Sequence, residues 1–163
     1  MKHVGVLLLM LSLSAVADEG CGSADSRFDL SGNGTVKDKQ NKLEWMQCSL
    51  GMVWGGGECT GRAERHDWHS LQSQLEQVNS GRGFANHNDW RLPTQAELET
   101  LIDKRCYDPV VNGNYFARTV SAGYWTSSPY MDYDGGMMLV YFLHGQSYVA
   151  NKDKEWFVRL VRK

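Results

Sequence analysis

Asp89-Trp90-Arg91-Leu92-Pro93-Thr94-Gln95-Ala96-Glu97-Leu98-Glu99 joins a short apolar strand to a capped helix within eleven residues. Pro93 fixes φ and suits a helix start, Thr94 can accept from the backbone N–H three residues on, and Glu97 stands where a capping box needs it. The helix that follows is expected to run from Gln95 to about Lys104 and to bury Leu98, Leu101 and Ile102. Upstream, Trp68, Leu71, Leu75 and Val78 recur at helical spacing and predict a first helix over Asp67 to Asn79. Asp67 can cap its start, and Asn79-Ser80-Gly81 supplies a stop.

Strands flank this helical centre. Phe28 to Leu30 and Thr35 to Lys37 enclose Ser31-Gly32-Asn33-Gly34, where Asn-Gly suits the positive φ of a hairpin turn. A third short strand is expected at Leu43 to Gln47. Beyond the second helix come Tyr124 to Ser127, Met137 to Leu143, Ser147 to Ala150 and Trp156 to Val161, with His144-Gly145 as a tight turn. Met137 to Leu143 lacks alternation, so it reads as a central strand covered on both faces. In the last strand Trp156, Val158 and Leu160 share one face and Phe157, Arg159 and Val161 the other. An arginine between two apolar residues needs a carboxylate or carbonyl partner. Asp89 and Glu97 are the candidate partners of Arg91 and Arg159, as a structural ion-pair cluster in preference to a catalytic acid–base site.

Lys2, the apolar run Val4 to Leu11 and Ala15-Val16-Ala17 read as a secretory signal over residues 1–17, cleaved before Asp18. That run is too short to span a bilayer, and no later stretch is apolar enough to do so. Cys21 lies near the cleavage site, but Asp18-Glu19-Gly20 is not the stretch that lipoprotein processing reads. Residues 18–163 have the usual size of one domain. Their slightly acidic balance argues against nucleic acid or an anionic membrane as partner. Cys21, Cys48, Cys59 and Cys106 are an even set in an exported chain, which predicts two disulfides. Cys48 with Cys59 is favoured because the pair flanks the glycine-rich stretch Gly51 to Gly57, and Cys21 then joins Cys106. A loop of this kind is stabilised by roughly 2 to 4 kcal/mol in the chain-entropy account.

The Trp-Arg-Leu-Pro-Thr-x-x-Glu-Leu pattern resembles secreted bacterial domains named after the C-terminal domain of a collagen-like adhesin, the Lcl C-terminal domain family. The similarity also takes in Arg27-Phe28, Gly34-Thr35-Val36-Lys37-Asp38, Leu43-Glu44-Trp45, Gly83-Phe84-Ala85, Tyr124-Trp125-Thr126-Ser127-Ser128-Pro129 and Val158-Arg159-Leu160-Val161-Arg162. The central motif is similar to one in formylglycine-generating enzymes, which implies a C-type-lectin-like fold. The expected architecture is therefore α+β: an N-terminal β-hairpin, two helices, then antiparallel strands closing with the C-terminal strand. Fold alone does not carry function. The family's named adhesin binds sulfated glycosaminoglycans, so the resemblance implies recognition of an anionic polymer by arginine and lysine. Arg62, Arg65, Lys152, Lys154 and Arg162 are the basic candidates. No collagen-like repeat is present, so trimerisation and avidity are not implied.

Other chemistries fit the residues less well. Asp29, Ser31 and Asn33 open like a calcium loop, but Gln40 stands where the closing Glu belongs. His66 and His69 lie near Cys59 at a spacing a metal tolerates, with no third ligand in view. Ser127 and Ser128 lack a nucleophile elbow, and pairing either with His144 has no support from spacing. The enzymes similar in the central motif rely on a reactive cysteine pair in their C-terminal half, whereas Cys106 is the only cysteine beyond residue 60 here. The sugar-binding tripeptides of calcium-dependent lectins are absent.

What remains is a disulfide-stapled scaffold with a loop region from Tyr107 to Gly136 rich in Tyr, Asn, Asp, Ser and Gly. Tyr130, Asp132, Tyr133 and Asp134 are its candidate ligand contacts, whereas Trp90, Arg91, Pro93, Thr94, Glu97 and Arg159 are read as structural. The sequence therefore predicts an exported, periplasmic or extracellular, non-catalytic recognition module without metal or cofactor. Its partner is expected to be a glycan, as in adhesion, or else a protein of the cell envelope or a surface appendage. An enzyme is the lesser alternative.

Overall fold

The computed structural model describes residues 20–132 and 135–163. The expected signal segment and the pair Tyr133 and Asp134 lie outside the described residues. The chain folds as α+β in the order β1 (Phe28–Leu30), β2 (Thr35–Asp38), β3 (Leu43–Met46), β4 (Val53–Gly55), β5 (Glu58–Thr60), α1 (Leu71–Val78), α2 (Gln95–Glu99), β6 (Gly123–Pro129), β7 (Gly136–Tyr141), β8 (Gln146–Asn151) and β9 (Val161–Arg162). Three antiparallel sheets result: β1-β2-β3-β9, β4-β5 and β6-β7-β8. This arrangement is compatible with the expected C-type-lectin-like type.

The first hairpin has Phe28 opposite Asp38 and Leu30 opposite Val36. Positive φ falls on Gly32 and Gly34 instead of on Asn33. The Asn33 Oδ1 accepts from the Thr35 N–H at 3.2 Å and from its hydroxyl at 2.8 Å, while Asp29 pairs with Lys39 at 3.1 Å. Two of the three side chains that suggested a calcium loop, Asn33 and Asp29, are thus engaged by neighbouring residues of the chain.

Both disulfides form with the favoured pairing, Cys48–Cys59 and Cys21–Cys106. The glycine-rich stretch between the first pair is more ordered than a stapled loop. It is a second hairpin, β4 against β5, turning at Gly56 and Gly57 with φ of 61° and 86°. Two consecutive positive φ values are what a tight hairpin turn requires, and glycine adopts them without strain.

Both helices are shorter than their periodicity predicts. The Trp68 N–H is taken by the Lys152 carbonyl at 2.9 Å, and Asp67 Oδ1 accepts from the Ser70 N–H at 2.8 Å. Residues 68–70 therefore form a turn, and α1 begins only at Leu71. At the other end of the motif, Ile102 bridges to Val111 and the Asp103 N–H reaches the Val110 carbonyl at 2.9 Å. That diversion stops α2 at Glu99, with Leu98 and Leu101 still buried.

The core has two parts, and alternation along the strands divides side chains between them. Trp45, Tyr124, Val140 and Phe142 enter one, with Phe28, Leu98 and Phe116; Met46, Trp125 and Leu139 enter the other, with Leu71, Trp90 and Leu92. β7 lies between its two neighbours with both faces largely covered, as its unbroken apolar run implies. The C-terminal segment sends Phe157 and Val161 to the first core and Val158 and Leu160 to the second, with Trp156 packed against it. It is not one continuous strand, because its partners change along its length. Trp156 pairs with His66, Phe157 with Tyr124, the Val158 carbonyl accepts from Leu50, and Val161 pairs with Arg91.

Candidate functional site

The Trp90 to Glu97 junction is tied down from four sides. Thr94 and Glu97 complete the capping box: Thr94 Oγ1 accepts from the Glu97 N–H at 3.2 Å, and a Glu97 carboxylate oxygen accepts from the Thr94 N–H at 2.8 Å. The same carboxylate receives both Arg91 terminal nitrogens, at 2.8 and 2.7 Å. That fork-on-fork contact holds the Glu97 carboxyl below the usual carboxylate range, outweighing the opposite effect of partial burial. Ser127 donates its N–H to the Pro93 carbonyl at 2.7 Å, and the Ser128 hydroxyl accepts from the Gln95 N–H at 3.0 Å. The serines therefore serve the backbone of the motif, and His144 lies elsewhere, beside Tyr141 and Tyr148.

The expected partners of Arg159 need correcting. Neither Asp89 nor Glu97 reaches it. Asp89 pairs with Arg162 at 2.7 Å, and Arg162 also holds Glu44 at 2.6 Å. Arg159 is fully buried and directs its guanidinium to the carbonyls of Met46 and Gln47, to Ser49 Oγ at 3.2 Å and to Thr119 Oγ1 at 2.7 Å. Its charge lies 5.1 Å from the centre of the Phe116 ring. Burial presses its pKa downward, although a guanidinium remains protonated in proteins. In this cluster Asp89 and Glu97 are both ion-paired carboxylates held below the usual range, so neither is poised to give up a proton near neutrality.

The remaining chemical candidates disperse. Cys59 is in a disulfide, His66 is buried, and His69 faces Asp153 at 3.4 Å. Among the described residues no three of His, Cys, Asp or Glu converge as a metal site would need, and no cysteine is free. Cys106 is bonded to Cys21 and so cannot act as a reactive thiol.

The loop region from Tyr107 to Gly136 is not one surface. Val110, Val111, Phe116, Thr119 and Tyr124 within it are buried. Tyr130 is half-buried and Asp132 exposed at the β6–β7 turn, which the Tyr130 N–H closes on the Gly136 carbonyl at 2.9 Å. Arg62 and Arg65 flank Phe157, with the Arg65 guanidinium 5.1 Å from its ring centre. Lys152 and Lys154 stand in and beside the turn that follows β8, where Lys152 meets Trp68. The pairing of His66 with Trp156 joins these two regions in one part of the molecule. Tyr130 and Asp132 belong to the hairpin tip where β7 starts, across the three-stranded sheet from the His144 turn where β7 ends.

That far end carries a feature the sequence reading did not single out. Leu139 and Tyr141 on β7, His144 in the turn, Tyr148 on β8 and Trp156 in the terminal segment line an open groove of about 410 Å³. Tyr141 is its centre. The His144 ring stacks on it at 5.3 Å, while the rings of Tyr148 and Trp156 stand nearly perpendicular at 6.0 and 6.1 Å. Tyr148, 43% exposed, donates its hydroxyl to Gln146 Oε1 at 2.8 Å and lies 3.3 Å from His144 Nε2. The indole of Trp156 is seated over Gly123, directly opposite Tyr141, where a Cβ would approach its ring to 2.9 Å. The signal for the groove was present as Tyr141 and Tyr148 around His144-Gly145, but it depends on hairpin register: Tyr148 faces Leu139 and Gln146 faces Tyr141. A second hollow, of about 320 Å³, lies beside the Cys48–Cys59 bridge among Met46, Met52, Trp54 and Phe84.

A sequence profile of the Lcl C-terminal domain matches residues 34–162. The chain belongs to the Lcl C-terminal domain family. The matched span of this Lcl C-terminal domain runs from the turn of the first hairpin, after β1, to β9 and includes both helices, the three-stranded sheet and the aromatic groove. No curated protein matches the chain. The two disulfides fit a location outside the cytoplasm. Among the described residues no helix is long and apolar enough to cross a membrane.

Proposed function

We propose that this Lcl C-terminal domain is a single exported domain, residues 18–163, released from the signal segment 1–17, and that it acts as a non-catalytic recognition module for glycans. The observation that carries this reading is the aromatic groove. Rings set at right angles on a rigid sheet, with hydroxyl and imidazole groups at the rim, suit ligands that present apolar faces and polar edges together. Sugars have that character. The cystine bridges and the doubly bonded motif junction keep the platform rigid, so little ordering cost falls on binding.

The family resemblance brings sulfated glycosaminoglycans into consideration through Arg62, Arg65, Lys152 and Lys154. Tyr130 and Asp132 at the hairpin tip offer a further contact surface. A protein partner in the envelope or a surface appendage is the second reading, favoured by Met131 and Tyr107, large side chains left 87% and 86% exposed. The deciding experiment is binding of the oxidised protein to an array of neutral and sulfated glycans with a chelator control. Saturable, chelator-resistant binding to any of them supports glycan recognition. No binding to any glycan by folded protein overturns it in favour of a protein partner.

A further inference from the structure

The lining of the aromatic groove carries no formal charge. Leu139, Tyr141, Leu143, Tyr148 and Trp156 are uncharged, and His144 is the only titratable base among the lining residues. Of the basic residues, Arg62 and Arg65 gather at Phe157, Lys152 and Lys154 lie in and beside the turn after β8, and Arg162 is neutralised by Glu44 and Asp89. Sulfate recognition needs convergent guanidinium or ammonium groups, because an anion that leaves water must find its charge matched. The groove has none to offer.

Resting on the glycan reading above, we infer that the groove formed by Tyr141, His144, Tyr148 and Trp156 binds an uncharged glycan by stacking. Its ligand is a pyranose with equatorial hydroxyls, as in the gluco configuration. Such a ring turns axial C–H bonds to both faces and hydroxyls to its edge. The C–H face meets the exposed Tyr148 ring and the indole of Trp156, both held by perpendicular contact with Tyr141. The edge hydroxyls meet the Tyr148 hydroxyl, Gln146 and the His144 ring, groups already within hydrogen-bond reach of one another at the rim. At about 410 Å³ the groove lies within the ~300–1,000 Å³ range of small-ligand sites. No metal enters this mode. Because no ion pair forms, affinity is insensitive to salt.

The test titrates oxidised protein with cellohexaose, chitohexaose and a heparin hexasaccharide, following tryptophan fluorescence and heat at low and high sodium chloride. The expected result is saturable binding of at least one neutral oligosaccharide with a tryptophan signal and no loss of affinity at high salt. Tyr148→Ala should lower that affinity about tenfold, the scale of a truncated aromatic anchor. Tyr148→Phe, which keeps the ring, should retain most of it. Tyr148 is exposed, so its replacement leaves the core intact, and circular dichroism confirms folding. Binding of heparin alone, with salt sensitivity and indifference to Tyr148→Ala, overturns this inference while leaving glycan recognition standing. Neutral binding unaffected by Tyr148→Ala overturns the location. Failure to bind any of the three, together with a blank glycan array, overturns both readings.

Discussion

Asn79 holds Trp90 by its backbone: Nδ2 donates to the Trp90 carbonyl at 2.8 Å and Oδ1 accepts from the Trp90 N–H at 2.9 Å. One side-chain amide thereby does what a neighbouring strand would do, joining the end of α1 to the start of the Trp-Arg-Leu-Pro-Thr motif. The Trp90 indole is fixed as well, donating Nε1–H to the Phe84 carbonyl at 3.0 Å. Replacing Asn79 with Ala strands a donor and an acceptor, and Asn79→Asp sets a carboxylate against a carbonyl. Each should cost about 1 to 3 kcal/mol, with Asp no better than Ala, as read by urea unfolding. Unchanged midpoints would show that water replaces the amide without loss.

Glu97 makes the junction sensitive to acid. Its folded pKa is lowered, first by the Arg91 hydrogen bonds, so its contribution is complete above the unfolded value of about 4.3 and fades as pH falls through the lower folded value. Glu97→Gln keeps a capping-box side chain but removes the charge. This variant should be less stable than wild type at neutral pH by about 1 kcal/mol, a modest figure because the pair is partly exposed. The gap should narrow as pH falls below the unfolded value and on through the lowered folded one. A gap that stays constant over that range in urea titrations would mean that shape, and not charge, explains the loss.

Arg159 is a buried cation that no carboxylate pairs with among the described residues; its two terminal nitrogens donate to two carbonyls and two hydroxyls, while its Nε–H has no partner. A lysine keeps the charge but cannot reach four acceptors from one planar fork. Arg159→Lys should therefore destabilise the fold by roughly 2 to 4 kcal/mol, most of it from acceptors left unpaired. Differential scanning calorimetry would register this as a clear drop in Tm. A wild-type Tm would show that the guanidinium plane is dispensable.

The two disulfides should differ in weight. Cys21 and Cys106 are 85 residues apart, Cys48 and Cys59 only 11. In the chain-entropy account these loops correspond to about 4.5 and about 3 kcal/mol. Paired Cys→Ala variants compared by denaturant unfolding should rank in that order. The reverse order would mean that native packing around the β4–β5 hairpin outweighs loop length.

Gly123 is needed for space. A Cβ there would come within 2.9 Å of Trp156 Cε3 and 3.2 Å of Leu139 Cδ1. Gly123→Ala should shift the tryptophan emission and cost about 1 to 3 kcal/mol, the usual scale of overpacking. Unaltered emission would mean that the indole has room to give way.

Local patterns in the sequence determined much of this protein. The capping box at Thr94 and Glu97, the first hairpin, the buried run through β7 and the division of the terminal segment between two faces all follow from short-range stereochemistry and from alternation. The disulfide pairing was legible because one pair flanks a glycine-rich stretch and the other is the remainder. Element ends were not legible. Asp67 to Ser70 and Thr100 to Ile102 have helical periodicity, but Trp68 gives its N–H to the distant Lys152 carbonyl, and Thr100 to Ile102 tighten to bonds three residues back before Asp103 turns to Val110. The pairing of Arg91 with Glu97, six residues on, was legible, but tertiary structure decided where the other charges meet. Asp89 and Arg162 lie 73 residues apart, and Arg159 finds acceptors more than a hundred residues upstream, contacts on which no local spacing bears. The aromatic groove belongs with these, since Tyr141, Tyr148 and Trp156 become neighbours only when hairpin register and the space above Gly123 bring their rings together.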